Sequence, residues 1–250
     1  MAIKLDGKAL AEKMRAQIRE ETESLARRPT LAVILVGEDP ASQVYVRNKE
    51  KDCVECGILS QGYRLPAQTS EAQLLELIDV LNENDRVDGI LVQLPLPEHI
   101  SQEKVLHAIR PDKDVDAFHP FNVGKIVTGE QGFLPCTPAG VMALLRENGT
   151  VTICHSKTAH LSEVTARADI LVSAVGKTGF ITGDMVKEGA VVVDVAMNRD
   201  AEGKLCGDCV FDEVEKKASY ITPVPGGVGP MTRLVLMQNT LAAANAHLQG

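Results

Sequence analysis

Leu31-Ala-Val-Ile-Leu-Val36 runs into Gly37, and Asp39-Pro40 follows almost at once. Six apolar residues in a row, with no polar alternation, describe a strand buried on both faces, which is the condition of a parallel sheet. Gly ends the strand. Asp before Pro then supplies an N-cap and a proline at the first helical position, so a helix opens there and runs to about Cys56. A strand that passes straight into a helix is half of a βαβ unit, and the pattern recurs. Ser70 caps a helix carrying Leu74, Leu75, Leu77, Ile78 and Leu81. Val87-Asp-Gly-Ile-Leu-Val-Gln93 is the next strand, ending at Leu94-Pro-Leu-Pro97, and Ser101 to Ile109 is a short helix. Upstream, Asp6 caps a helix bearing Leu10, Met14, Ile18 and Leu25. Strand–helix alternation of this kind predicts an α/β fold with parallel strands and right-handed crossovers.

The second half repeats the rhythm after a Gly/Pro-punctuated stretch from Pro111 to Pro138, which reads as a link between two domains. A helix is expected over Pro138–Asn148. Strands are expected at Val151–Cys154, Ile170–Val175 and Ala190–Val195, with short helices between, as in half of a Rossmann domain. Thr222-Pro-Val-Pro-Gly-Gly-Val-Gly-Pro-Met-Thr232 precedes a last helix from Met231 to about His247. Pro fixes φ and Gly admits close approach. The run therefore reads either as a rigid loop that lays bare backbone against a flat ligand or as a Pro-rich turn before a helix.

Composition narrows the class. The chain has 250 residues, which suits two domains; 44% are apolar, but only 3% are aromatic and none is Trp. Its core must be aliphatic. A net charge of −8 argues against nucleic-acid or acidic-membrane partners. No segment approaches 18 apolar residues and Met1-Ala-Ile-Lys-Leu-Asp6 has no apolar signal core, so a cytoplasmic protein is expected. Cys53/Cys56 and Cys206/Cys209 are C-x-x-C pairs. The first lies inside a helical pattern and the second in a strand-like stretch, without Gly-rich knuckles. Scattered thiols are the better reading, and no metal is expected.

Several residues invite chemistry. Tyr45 and Lys49 stand four apart on one helix and share a face. Tyr offers a stacking surface and Lys a proton or a charge, although the plainer reading is an exposed lysine beside a half-buried tyrosine. Gln93 ends a strand, at the edge where open α/β sheets bind ligands, or it merely bonds its own loop. Asp112-Lys-Asp-Val-Asp116 lacks the Gly and distal Glu of a calcium loop. Its carboxylates could instead accept an amidine-like edge bidentately. His119, in Phe-His-Pro, reads as structural. Gly176-Lys-Thr-Gly179 follows a strand without P-loop spacing, and no G-x-G-x-x-G is present.

Over nearly its whole length the chain resembles the bifunctional methylenetetrahydrofolate dehydrogenase/cyclohydrolase family. The specific motifs are Glu71-Ala-Gln-Leu-Leu-Glu-Leu-Ile-Asp-Val-Leu-Asn82 leading to Gly89-Ile-Leu-Val-Gln-Leu-Pro-Leu96, and Pro225-Gly-Gly-Val-Gly-Pro-Met-Thr232. Val36 to Lys49, Pro111 to Asp116, Phe118-His-Pro120 and Pro135-Cys-Thr-Pro138 support them. The resemblance implies a folate-binding catalytic domain over 1–118 with the helix 231–250. It implies a Rossmann-type NADP-binding domain over 119–230, with a cleft between the two, and a homodimer. It also implies two reactions on tetrahydrofolate derivatives: NADP-dependent oxidation of the 5,10-methylene form to 5,10-methenyl, and hydrolysis of the methenyl form to 10-formyl. By the same resemblance Lys49 moves protons in the hydrolysis and Gln93 holds it. Tyr45 stacks on the aminobenzoyl ring and Asp116 accepts the pterin amidine edge. Val92, Leu94, Pro225, Gly226, Gly227, Val228 and Gly229 line the folate. Ser156, Gly176 and Met197 face the cofactor.

The chain departs from the family at one large point. About 30 residues, one β–α unit in size, are missing between Gly149 and Thr150. They would encode the first Rossmann strand, its phosphate turn and the helix that follows. Removing a central strand strips its neighbours of ladder partners, which is costly against a total stability of about 5–15 kcal/mol. The natural protein is therefore expected to carry the unit; a measured intact mass of 26.9 kDa would mean that it does not, and dehydrogenase activity should then be lost. If so, the chain is a cyclohydrolase alone or a non-catalytic folate-binding form. Smaller departures are Ala196-Met197 beside the nicotinamide ribose, Thr178 for a Pro, and Ala117 for a Gly after Asp116.

Overall fold

A computed structural model describes residues 2–145 and 150–249. In chain order the strands and helices are β1 (Ile3–Lys4), α1 (Gly7–Ser24), β2 (Thr30–Val36), α2 (Pro40–Glu55), β3 (Leu59–Leu65), α3 (Glu71–Asn82), β4 (Gly89–Val92), α4 (Gln102–Ala108), α5 (Pro120–Thr128), α6 (Cys136–Leu145), α7 (Leu161–Thr165), β5 (Ile170–Ser173), β6 (Val191–Asp194), β7 (Asn198–Arg199), β8 (Leu205–Cys206), α8 (Phe211–Lys217), β9 (Tyr220–Ile221) and α9 (Val228–Gln249). They divide into two compact α/β units, Lys13–Cys136 with Arg233–Gly250, and Met1–Glu12 with Thr137–Thr232.

In the first unit β2 lies at the centre of a three-stranded parallel sheet, ordered β3-β2-β4. All seven β2 residues are buried, as its uninterrupted apolar run requires. β3 was not foreseen. Its sequence Leu-Ser-Gln-Gly-Tyr-Arg-Leu is too polar to announce a strand, and its residues are exposed or half-buried, as befits an edge. The helices follow their caps. Asp39 accepts from the Ser42 N–H, and Ser70 with Gln73 closes a capping box. Leu74, Ile78 and Leu81 of α3 pack on Ala32, Ile34 and Ile90 of the sheet. Each fully buried aliphatic side chain contributes about 1.5–3 kcal/mol.

The second unit holds a four-stranded parallel sheet ordered β1-β9-β6-β5, and a small antiparallel β7–β8 pair. The expected strand Val151–Cys154 does not form. Val151 and Ile153 are 81% and 84% exposed, and residues 150–154 make no hydrogen bond to another described residue. β5 is the edge of this sheet, and residues 150–154 do not pair with it; a segment without ladder partners is left to solvent. The junction Gly149–Thr150 touches residues 146–149, which lie outside the described residues, as does the end of the helix expected to reach Asn148.

The units also part from the expected domain limits. Residues 1–12 join the second unit because β1 pairs with β9. Residues 119–136 join the first because α5 is tied down by Asn122, which donates to Pro111 O and Asp114 at 2.9 Å each. Among the described residues, no helix is long and apolar enough to cross a membrane.

Candidate active site

Lys49 sits in the last turns of α2, and Gln93 directly follows β4, at the C-terminal edge of the first unit's sheet. The structure brings them together: Lys49 Nζ donates to Gln93 Oε1 at 3.0 Å. Gln93 Nε2 in turn donates to Leu94 O at 2.7 Å, which fixes the amide so that its oxygen faces the lysine. Burial lowers the Lys49 pKa, while the charge of Asp116 pulls it back up and Arg233 pushes it further down. Burial raises the Asp116 pKa, and Lys49 opposes that shift. A half-buried ammonium whose proton is more easily lost, beside a carboxyl that gains one more easily, is suited to proton transfer.

Tyr45, 38% exposed, lies one turn before Lys49 on α2. Val92 closes β4 and is buried, and Leu94 is half-buried. Two members of this neighbourhood escaped sequence reasoning. Cys136 is buried in the Pro135-Cys-Thr-Pro138 motif, beside Asp116 and Lys49. Arg233 immediately follows the Pro/Gly run and pairs with Asp52. The Cys136 motif position was the available signal; nothing marked Arg233. His119 is the N-cap of α5, its Nδ1 accepting from Phe121 N at 3.1 Å. Cys53 and Cys56 are buried, and desolvation pushes both thiols up to about 12.

The Pro/Gly run belongs to the second unit, and two of its glycines answer to the chain itself. Gly226 has φ +116°, a conformation side chains rarely adopt. At Gly227 a Cβ would stand 2.6 Å from Thr222 Cβ, and a Cβ on Gly7 would stand 1.8 Å from Gly227 O. Gly229 is less confined, its nearest neighbour being Met197 Cε at 3.6 Å. Pro225 is joined by a cis peptide, and Val228 is buried at the start of α9.

The expected cofactor residues are held by two buried carboxylates that sequence reading passed over, Asp194 and Asp208. Asp208 accepts from Ser173 Oγ, Val175 N, Lys177 N and Asn198 Nδ2 at 2.7–3.0 Å. Burial alone would raise its pKa, but these bonds win and hold it below the ordinary carboxylate value. They clamp the turn carrying Gly176, which has φ +72° and open space where a Cβ would point. Asp194 accepts from Ala196 N at 3.2 Å and so steadies the approach to Met197, 42% exposed. The Gly176 turn is therefore held firmly and open on one side. Beyond β5 the described residues hold no strand, Gly-rich turn and helix N-terminus in succession, the arrangement that binds a pyrophosphate in Rossmann domains. Ser156 stands exposed in the unpaired stretch that follows Thr150.

The family model of the tetrahydrofolate dehydrogenase/cyclohydrolase catalytic domain matches residues 5–116, and that of the NAD(P)-binding domain matches residues 139–248. The bifunctional protein FolD of Moorella thermoacetica is 52% identical, over 96% of this chain and 98% of that protein. The FolD of Lachnoclostridium phytofermentans is 50% identical over 98% of each. The alignment to the Moorella protein runs over 273 positions, more than the 250 residues of this chain, so that relative carries residues lacking here. Among solved structures, the Campylobacter jejuni enzyme is 46% identical with a TM-score of 0.94, covering 98% of this chain and 99% of that one. A Trypanosoma brucei enzyme complexed with NADP and an inhibitor is 35% identical, also at TM-score 0.94, over 100% and 99%. Two domain matches in order, and relatives half identical across nearly their full length, make this chain a member of the tetrahydrofolate dehydrogenase/cyclohydrolase family.

Proposed function

We propose that the Lys49–Gln93–Asp116 group handles 5,10-methylene- and 5,10-methenyltetrahydrofolate, and that hydrolysis of the methenyl form to 10-formyltetrahydrofolate is its stronger activity. The observation that carries this is the 3.0 Å bond from Lys49 to Gln93 beside a carboxyl that shares its field. In the hydrolysis, water adds to the cationic methenyl carbon and loses a proton, and the bond to N5 then breaks. Lys49, its pKa lowered by burial, takes the proton from the water and returns one to N5. Gln93 Oε1 holds the lysine nitrogen toward the reacting carbon. Asp116 accepts from the pterin amidine edge, and Tyr45 stacks on the aminobenzoyl ring.

In the oxidation NADP takes a hydride from the methylene bridge. Membership of the family and the NADP complex of the Trypanosoma neighbour support that cofactor. Gly176 and Met197 would seat the nicotinamide end, and Ser156 would meet the adenosine 2′-phosphate. Without the phosphate turn, binding is weak and oxidation slow. Incubation with methylenetetrahydrofolate and NADP⁺, and separately with methenyltetrahydrofolate, tests the reading. Enzyme-dependent loss of methenyl absorbance is expected, with little NADPH formed. No methenyl loss above the spontaneous rate would refute it.

A further inference from the structure

Asp116 stands on a turn that its own backbone disfavours. Ala117, the next residue, has φ +59° and is fully buried, a left-handed conformation costing an L-residue about 1–2 kcal/mol. Such strain persists only where the surroundings over-determine it. On one side Asp114 does this, its carboxylate accepting from His119 N at 2.8 Å and Asn122 Nδ2 at 2.9 Å. On the other side stands Asn239, from the middle of α9 and more than a hundred residues away in sequence.

Asn239 is buried in a pattern that a helix-face amide does not need for itself. Its Nδ2 donates to Val115 O at 2.8 Å and to Leu134 O at 2.9 Å, and lies 3.8 Å from Cys136 Sγ. Val115 precedes Asp116, and Leu134 lies two residues before Cys136. One amide thus staples the two segments that carry the groups around Lys49. The thiol donates to the same Val115 oxygen at 3.5 Å, and a carbonyl oxygen has room for both donors. Asn239 and Cys136 therefore hold Val115 O together, and with it the turn that carries Asp116. Loss of Asn239 would leave Val115 O with the weaker of its two donors and would release the strained turn.

We propose that Asn239 is a positioning residue, acting through Cys136 and the Val115–Ala117 turn to hold the Asp116 carboxyl for its ligand. The long C-terminal helix is then part of the substrate site as well as of the core. The proposal rests on the assignment of Asp116 to the pterin edge.

The test compares KM, kcat and the pH profile of methenyl hydrolysis in the full chain carrying Asn239→Leu, Cys136→Ala, Cys136→Ser or Asp116→Asn, with Val105→Ala as a core control of similar destabilisation. Asn239→Leu is expected to raise KM by roughly tenfold, the scale of one weakened hydrogen bond to a charged group. It should also shift the acidic limb of the profile, while kcat changes little. Cys136→Ala should give a smaller rise of the same kind, and Cys136→Ser should restore it. Val105→Ala should lower Tm and leave KM and profile alone. If Asn239→Leu and Cys136→Ala behave like Val105→Ala while Asp116→Asn raises KM, the positioning role is overturned. If Asp116→Asn itself leaves KM unchanged, the assignment of Asp116 fails instead. Should Asn239→Leu not fold, the Cys136 pair decides alone.

Discussion

The two units of the chain both hold a parallel sheet, and the strands of the two sheets are flanked differently. In the unit around β2, the central strand is paired on both sides and the C-terminal edge carries a connected set of polar side chains. In the unit around β6, four strands still pair in order, yet β5 is left as an edge and the stretch after Thr150 lies unpaired with Val151 and Ile153 in solvent. A parallel sheet can lose a β–α unit and keep the ladders on the far side of the gap, because each strand pairs only with its neighbours. A ligand site is less forgiving. Gly176 and Met197 keep their clamps, Asp208 and Asp194, but the helix N-terminus that would hold a pyrophosphate is an indivisible piece.

The comparison is broken most decisively at Lys49. Replacement by Met should lower catalysed methenyl hydrolysis by about 10²–10⁴-fold, the usual worth of a positioned proton carrier; a fall of less than threefold would remove Lys49 from the mechanism. In the intact chain, the catalysed rate should rise as Lys49 loses its proton, with a midpoint below lysine's ordinary 10.5 because burial disfavours the charge. A midpoint at or above that value would contradict the assigned base.

Restoring the absent unit is the converse experiment. Inserting the strand–turn–helix of a FolD relative between Gly149 and Thr150 should lower the KM for NADP⁺ on the order of 100-fold, from two phosphate bonds at about 1.5 kcal/mol each. Hydrolysis should be unaffected. An unchanged KM would mean that the phosphates bind elsewhere.

A smaller effect is expected at the open edge. β5 offers an unpaired strand, and Val172, 47% exposed, lies on it. Exposed edges invite strand addition, so Val172→Lys should reduce concentration-dependent association measured by light scattering, and a variant that associates as before would exclude that edge. Smallest of all, Ala117→Gly should relieve the left-handed strain, raising stability by about 0.5–1 kcal/mol and Tm by about 1–4 °C. A lower Tm would show that the turn is not strained.

Much of this was legible in the residues. Leu31 to Val36 declared a buried parallel strand, Asp39-Pro40 and Ser70 declared helix starts, and both appear. β3 was not legible, because an edge strand is specified by the neighbour it pairs with more than by its own polar sequence. Val151–Cys154 failed for the complementary reason: the local signal is a strand, and the partner is missing. At the site, the spacing of Tyr45 and Lys49 and the place of Gln93 after a strand left a structural reading open; the family resemblance singled the three out, and the bond from Lys49 to Gln93 joins two of them. Cys136, Arg233 and Asn239 were not legible, since they are joined to Lys49 and Asp116 only in three dimensions. The Pro/Gly run was half read. Its glycines suggested bare backbone for a ligand, while Gly227 is spent on Gly7 and Thr222.

The central claim is that the chain keeps a working substrate half and an incomplete cofactor half. One progress curve tests it: the protein with methylenetetrahydrofolate and NADP⁺, followed at the NADPH and methenyl wavelengths, then given methenyltetrahydrofolate in the same cuvette. The account predicts catalysed loss of the added methenyl compound with NADPH formed far more slowly. NADPH formation as fast as the hydrolysis at micromolar NADP⁺ would contradict it.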